Sequence, residues 1–324
     1  MSSGYNISYE GGLPYVVYPD GTTYSTTGGK VDANCTLSVC PLEQTIYGYR
    51  PSLPGSIALI ALYGICIIAQ LGLGIRYKTW GYMTVMVLGC LAEIIGYAAR
   101  ILYYQNPWNR SSFVMQIVTI TIGPVFFCAA IYVMIYRIIN FVDHSKARFS
   151  PRLIYWIFIT CDLISLALQS AGGGLSSDAS GSSYAGVPVA LAGLAFQVVT
   201  LAIFILVCAD YAFRSRETWM KTRPPTSFKL FVGFLTLATF TIFIRCCFRV
   251  DELGSGYSRQ SKVLRNESLF IGLESVMIVV AAFALIGAHP GLTFNKHGIE
   301  GSLGEKTIVG DTEAKEIDGS TVSE

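Results

Sequence analysis

An all-α, polytopic membrane protein built as a seven-transmembrane-helix bundle is the fold class this sequence predicts. Three observations carry the prediction. Hydrophobic residues make up 52% of the 324 and charged ones only 14%, where a soluble domain is roughly a quarter charged, so there is too little charge to coat a globule of this size. Seven long runs rich in Leu, Ile, Val and Phe each reach the roughly 20 apolar residues that a bilayer core of about 30 Å requires. None of the runs alternates with a period of two, which sets a β-barrel aside.

Taken in order, residues 1–52 form an extracellular segment rich in Gly, Ser, Thr and Tyr. It holds no apolar core of signal-peptide type, so the first span is expected to act as the insertion signal. Within it, the stretch Tyr15 to Tyr24 places Pro19-Asp20-Gly21 between β-branched and aromatic residues, the pattern of a small hairpin. The transmembrane domain, residues 53–290, follows. Its spans are read at Pro54–Ile75, Trp80–Tyr103, Phe113–Ile139, Leu153–Gly172, Gly186–Asp210, Phe228–Phe248 and Ser268–Ala288. The polar, mildly acidic tail 291–324 has few apolar anchors and reads as disordered and cytosolic.

Three marks orient the chain with its N-terminus outside and its C-terminus in the cytosol. In that orientation the inner side receives Arg76 and Lys78, then Lys146, Arg148 and Arg152, then Arg214, Arg216, Lys221 and Arg223, then Lys296, Lys306 and Lys315. The outer side receives Lys30, Arg50, Arg110, Arg249, Arg259, Lys262 and Arg265. Twelve basic residues against seven favour this arrangement. The glycosylation acceptors Asn6, Asn34, Asn109 and Asn266, each in an Asn-x-Ser/Thr triplet, all fall outside. So do Cys35 and Cys40, the pair outside the spans, which an oxidising compartment would join. The other seven cysteines lie in spans and read as small packing residues.

Polar residues inside the spans are few, and charges there usually face the bundle interior or a wet cavity. Span two carries Glu93 and Arg100, seven residues apart and so on one face. Span three carries Gln116 and Pro124, the latter expected to kink it. Span four carries Asp162 and Gln169, followed by Gly172-Gly173-Gly174, a helix terminus, a close-packing site or a hinge. Span five carries Gln197; span six carries Arg245, Arg249 and, at its edge, Glu252; span seven carries Glu274. Arg100, Gln116, Gln169, Arg245 and Glu274 fall in the outer half, with Glu93, Asp162 and Gln197 near the middle. The expectation is one polar-lined cavity opening outward between spans two, four, six and seven. In it Arg100 and Arg245 would pair with Glu274 and Glu252, and Glu93 or Asp162 would hold a proton or an ammonium ion. The bland alternative is that the same groups tie helices together as polar glue.

Several function classes lack their residues. No phosphate loop of the G-x-x-x-x-G-K-[ST] form is present. The three histidines, His144, His289 and His297, lie in loops or at an inner helix end, which disfavours an intramembrane zinc hydrolase. Span seven has no Lys for a retinal Schiff base, and it ends Ala288-His289-Pro290 rather than in N-P-x-x-Y. No long basic run or stripe marks a nucleic-acid surface. No cofactor or metal site, and no catalytic Ser or Cys motif, stands out.

An ordered set of pieces from about residue 49 to 288 is similar to the fungal RTA-like seven-span family, also called the lipid-translocating exporter family. The pieces are Tyr49-Arg50-Pro51-Ser52; Glu93-x-x-Gly96-Tyr97-x-x-Arg100; Gln116 followed by Pro124, Ala129 and Tyr132; Asp162-x-x-Ser165 with Gln169 and Gly172-Gly173; Gly193 with Gln197; and Arg245-x-x-x-Arg249-x-x-Glu252. The sequence departs from the family pattern in span seven, where Glu274 stands in place of an expected Asp. The resemblance implies a fungal membrane protein that exports or translocates amphipathic lipids, sphingoid long-chain bases above all, and so protects against toxic amphiphiles; no enzymatic activity is expected, and the expected location is the plasma membrane, with another endomembrane as the alternative. Its partners would be membrane lipids or amphiphilic small molecules. A sphingoid base offers an ammonium and hydroxyls; Glu93, Asp162 or Glu274 suit the first, and Gln116, Gln169 or Gln197 the second. A seven-span receptor or stress sensor for an amphiphile, or a modulator of lipid asymmetry acting through another transporter, are the rival readings.

Overall fold

In a computed structural model, the chain is described over residues 6–10, 13–17, 23–25, 42, 45, 47, 49–142, 148, 150–177, 183–216, 226–254 and 267–293. Seven helices there are long and apolar enough to cross a membrane. They are α1 (Leu53–Arg76), α2 (Trp80–Gln105), α3 (Arg110–Val142), α4 (Pro151–Ser177), α5 (Ser183–Arg214), α6 (Thr226–Gly254) and a composite α7 (Glu267–Thr293). The spans read from hydropathy lie within a few residues of these. Span seven runs to Thr293, through a short closing helix Pro290–Thr293, so residues 291–293 belong to the bundle rather than to the tail.

Local chemistry sets the ends. Pro54 lies in the first turn of α1, where its missing N–H costs nothing. Arg76 occupies the last turn and suits the negative end of the helix dipole. The chain then reverses through Tyr77, Lys78 at φ 54°, and Thr79, whose N–H returns to the Gly74 carbonyl. So short a connection makes α1 and α2 antiparallel neighbours.

Helix α3 is the central post: 61% of its most apolar window is buried, against 22% for α4. It packs on α2, α4 and α6 around a core that includes Tyr63, Met86, Phe127, Ile131, Phe204, Phe231, Ile242 and Leu285. Large apolar side chains also cover the outside, among them Ile65 and Ile68 on α1, Trp156 on α4 and Leu206 on α5. An apolar girdle of that extent would be a patch needing cover on a soluble protein, and in a bilayer it meets lipid.

Before the bundle lies a small antiparallel sheet, order β1-β2-β3: β1 (Asn6–Glu10), β2 (Leu13–Val17) and β3 (Thr23–Ser25), with Ile7 opposite Val16 and Tyr15 opposite Ser25. Strands β2 and β3 fall where the sequence predicted a hairpin, and β1 was not foreseen. The turn Pro19-Asp20-Gly21 lies outside the described residues. So do Asn34, Cys35, Cys40, Asn266 and the tail beyond Thr293.

Helices α4 and α5 make an intimate pair because small residues face each other. A Cβ at Gly172 would run into the backbone N of Ala190 and, at 2.6 Å, the carbonyl of Gly186; one at Gly193 would meet the Ser165 carbonyl at 2.9 Å. Small residues let transmembrane backbones approach in this way, and α4 continues unbroken through Gly172 and Gly173 to Ser177. A Cβ at Gly173 would meet nothing within 4 Å. The two neighbours should therefore answer oppositely to alanine. Gly172→Ala should lose about 1–3 kcal/mol by overpacking, and Gly173→Ala should stay within about 0.5 kcal/mol of the parent, as read by thermal unfolding in detergent.

Candidate functional site

The site begins with a proline. Pro124 sits inside α3 and has no N–H to give to the carbonyl four residues before it, which is that of Ile120. That carbonyl accepts instead from Arg245 of α6, with Nη2 at 2.8 Å. Arg245, Arg249 and Glu252 are spaced i, i+4 and i+7 and so form one stripe of α6. Arg245 pairs with Glu274 of α7 at 3.2 Å; Arg249 reaches the other Glu274 oxygen at 3.4 Å and Glu252 at 2.7 Å. A second Arg249 nitrogen lies 3.4 Å from the Thr121 hydroxyl of α3. Glu274 is presented from a π-helical stretch, Phe270–Val276, a widened turn of the kind often found where a side chain must be re-aimed. All four charged groups are buried.

Glu93 of α2 completes this cluster from the other side. It is 1% exposed, and neither carboxyl oxygen has a hydrogen-bond partner among the described residues. It lies against α3 so closely that a Cβ at Gly123 would collide with its carboxyl group. Arg245 and Glu274 are within electrostatic reach of it, and so are the Tyr63 and Tyr97 hydroxyls. The Tyr63 and Tyr97 hydroxyls and Arg245 Nε are also buried without a hydrogen-bond partner among the described residues. One acceptor group and three donors are thus left over in one dry region, where each unpaired polar atom costs free energy.

Toward the end of the bundle that carries the N-terminal segment, a second group closes over the first. Arg100 lies 3.4 Å from the Tyr49 hydroxyl and 3.7 Å from Glu267, with its guanidinium 4.1 Å from the Phe270 ring centroid. The Ser52 N–H donates to Glu267 at 2.6 Å, and Arg50 donates to the Tyr104 carbonyl at 2.9 Å while stacking on the Tyr104 ring. Gln116 of α3 donates to the Tyr47 hydroxyl at 3.2 Å, and Tyr47 packs on Tyr103 and Phe113. Burial holds the Tyr49 hydroxyl above its usual range, opposed by Arg100 beside it, so it faces the guanidinium as a neutral phenol.

These positions correct two expectations. Arg100 pairs with Glu267, not with Glu274 or Glu252. Glu267 had been read only as part of the Asn266 triplet, but it stands in the first turn of α7 and faces the bundle. Asp162 does not join the cluster either: it accepts from Tyr132 of α3 at 2.8 Å, while Gln169 donates to Gln197 at 3.0 Å across α4 and α5. Glu93, Arg245, Arg249, Glu252 and Glu274 are therefore one cluster, Arg100 caps it, and Asp162 and the glutamine pair tie helices elsewhere. A cavity of about 300 Å³ lies at the opposite end, between α3, α4 and α5, with Ile138, Ile154 and Val207 in its wall and Arg148 and Asp210 also lining it. Asn109 is exposed at the start of α3 and accepts from the Ser112 N–H; Asn6 opens β1. Sequence reasoning passed over Tyr63, Thr121 and Glu267, and also Gln70, a fully buried amide in α1. A lone Gln in an apolar run was a usable signal, but nothing in the sequence marked the others. Among the described residues no group of three His, Cys, Asp or Glu is placed to hold a metal ion.

The Arg245–Glu274 pair yields a stability test. Removing one partner of a buried pair is expected to cost about 3–5 kcal/mol, whereas replacing both by apolar residues is often neutral. Arg245→Ala should lower thermal stability by at least that amount, and Arg245→Met with Glu274→Met should recover only the part due to the stranded Glu274 carboxylate, because Arg249 keeps Glu252 but the Ile120 carbonyl stays open.

The family described as RTA1 like protein matches residues 86–297, which contain all of α3 to α7 and the cluster residues of α2. A protein of Saccharomyces cerevisiae named as a sphingoid long-chain base transporter is 28% identical over 284 residues, covering 76% of this chain and 74% of the relative. The yeast protein RTM1 is 27% identical over 68% of this chain and 72% of its own length. Protoporphyrin uptake protein 1 of the same yeast is 28% identical over 64% and 68%. No solved structure matches. A seven-span helical bundle matched across most of its length by these relatives is a member of the RTA1-like family of fungal membrane proteins.

Proposed function

We propose that this protein translocates amphipathic lipids with a cationic head, sphingoid long-chain bases being the model substrate, without hydrolysing ATP, and that Glu93 receives the head group. The observation that carries the reading is the set of unsatisfied groups in the cluster: a buried carboxyl with two free oxygens beside an unpaired phenol and an unpaired guanidinium N–H. An ammonium needs an acceptor with negative charge, and vicinal hydroxyls need both a donor and an acceptor. The relative named as a sphingoid long-chain base transporter supports the same substrate class. The hydrocarbon tail stays among the lipids that cover the apolar outer surface. The bundle is closed around Glu93, so admission requires helices to part; Pro124 and the π-helical turn, on the helices that flank the cluster, are places where the backbone ladder is already interrupted.

The protein sits in the plasma membrane with residues 1–52 outside, where Cys35 and Cys40 are joined and Asn34 is glycosylated, and with its tail in the cytosol. Peptide mapping by mass spectrometry without reduction should find the Cys35–Cys40 link and a glycan in this segment. Free thiols at both positions, or a glycan acquired by a reporter fused to the C-terminus, would overturn the orientation.

Transport is tested with the purified chain in vesicles lacking ATP and any partner. The wild type should move a labelled sphingoid base; binding without movement would favour a receptor. Glu93→Gln should weaken binding about 10–100-fold, the loss expected for a hydrogen bond to a charged group. Asp162→Asn should retain most activity, since its amide oxygen still accepts from Tyr132.

A further inference from the structure

We infer that translocation is an exchange in which Glu93 trades one proton for one ammonium head group, so that each cationic amphiphile carried one way is matched by a proton carried the other. The inference rests on the assignment of Glu93 to the head group and adds the energy source, which that assignment leaves open.

The buried cluster and its cap hold four carboxyl groups, Glu93, Glu252, Glu267 and Glu274, and three guanidinium groups, Arg100, Arg245 and Arg249. Arg100 faces Glu267, Arg245 faces Glu274, and Arg249 faces Glu252. Glu93 is the carboxyl left over, and it is the one whose oxygens have no hydrogen-bond partner among the described residues. A bare charge so deeply buried is costly, so the closed bundle with no ligand holds Glu93 as the neutral acid. When the bundle opens and a cationic head arrives, the carboxylate pairs with it and the proton leaves to water.

Proton and ammonium compete because the space admits one of them. Gly123 of α3 lies directly against the carboxyl. The titratable and charged groups facing it are Tyr63 from α1, Cys90 and Tyr97 from α2, Arg245 from α6 and Glu274 from α7. Arg245 and Glu274 neutralise each other and are fixed by the Ile120 carbonyl and by Arg249. Occupancy at Glu93 is therefore what changes between the two loaded states. Protonated acid plus free ammonium gives carboxylate–ammonium pair plus free proton, and charge balances on both sides. The site is electrically neutral in either loaded form, and neutral forms are the ones that can be enclosed in a low-dielectric bundle. An empty, ionised site is the form the bundle cannot close on, and that exclusion makes the exchange obligatory rather than leaky.

The test uses the full chain and a single-chain quaternary ammonium amphiphile, whose fixed charge prevents it from crossing as a neutral amine. In weakly buffered detergent solution, binding should release one proton per molecule bound. The apparent Kd should rise about tenfold for each unit of acidification over the range in which Glu93 holds its proton. In vesicles, a pH gradient should drive the amphiphile uphill, and a trapped pH dye should report proton counterflow. Glu93→Gln should lose proton release and counterflow together. If that variant fails to fold, the wild-type stoichiometry decides alone. Movement of the amphiphile with no proton release and no response to the gradient would overturn the exchange and leave the translocator reading standing. Coupling retained in Glu93→Gln would overturn the assignment to Glu93. Absence of any movement, of this probe or of a sphingoid base, would overturn the translocator reading itself.

Discussion

The interaction on which the arrangement depends is the bond from Arg245 to the Ile120 carbonyl. In a membrane interior a backbone acceptor left open has no water to turn to. Pro124 opens such an acceptor in the most buried helix of the bundle, and a guanidinium from α6 fills it. That anchorage holds Arg245 at the centre, which places Glu274 opposite it. Glu274 then brings in Arg249, and Arg249 brings in Glu252 and Thr121. Three helices, α3, α6 and α7, are joined through this chain of contacts. The proline, which by itself weakens α3, is thus the origin of the cross-bundle network, and the kink expected from the sequence matters less than the carbonyl it exposes.

The bundle divides its polar groups by task. Helices α4 and α5 are fastened by close backbone approach at Gly172 and Gly193 and by the Gln169–Gln197 pair, a joint in which every named partner is satisfied. Helices α2, α3, α6 and α7 carry the network that is one partner short. Above it, Tyr47, Tyr49 and Ser52 bind to α3, α2 and α7 respectively, so the chain leading into α1 closes the same end of the bundle that the cluster approaches. A satisfied joint resists being opened, and an unsatisfied one gains by receiving a ligand.

The seven spans were legible in the sequence because a run of some twenty apolar residues has one physical use in a chain so poor in charge. The candidate residues were legible for a related reason: Glu93, Arg245 and Glu274 stand out because ionisable groups are expensive where they lie. Pairing was not legible. Spacing along one helix says which residues share a face, but not which face of another helix it meets, and so Arg100 was assigned the wrong glutamate and Asp162 the wrong neighbours. Glu267 was hidden for a simpler reason, since at the edge of an apolar run a carboxylate reads as loop. Tyr63 was hidden because a tyrosine in a span gives no sign that its hydroxyl will end unpaired beside a carboxyl group.

The π-helical turn from Phe270 to Val276 has a consequence for comparing this chain with its relatives. A widened turn accommodates one residue more than an ordinary helix of the same rise, and each residue of an α-helix turns it by about 100°. A relative lacking that extra residue would present a different side chain to Arg245, even where its sequence aligns without a gap on either side of the turn. Against such a relative, column-by-column matching in span seven would misjudge which acid is equivalent to Glu274.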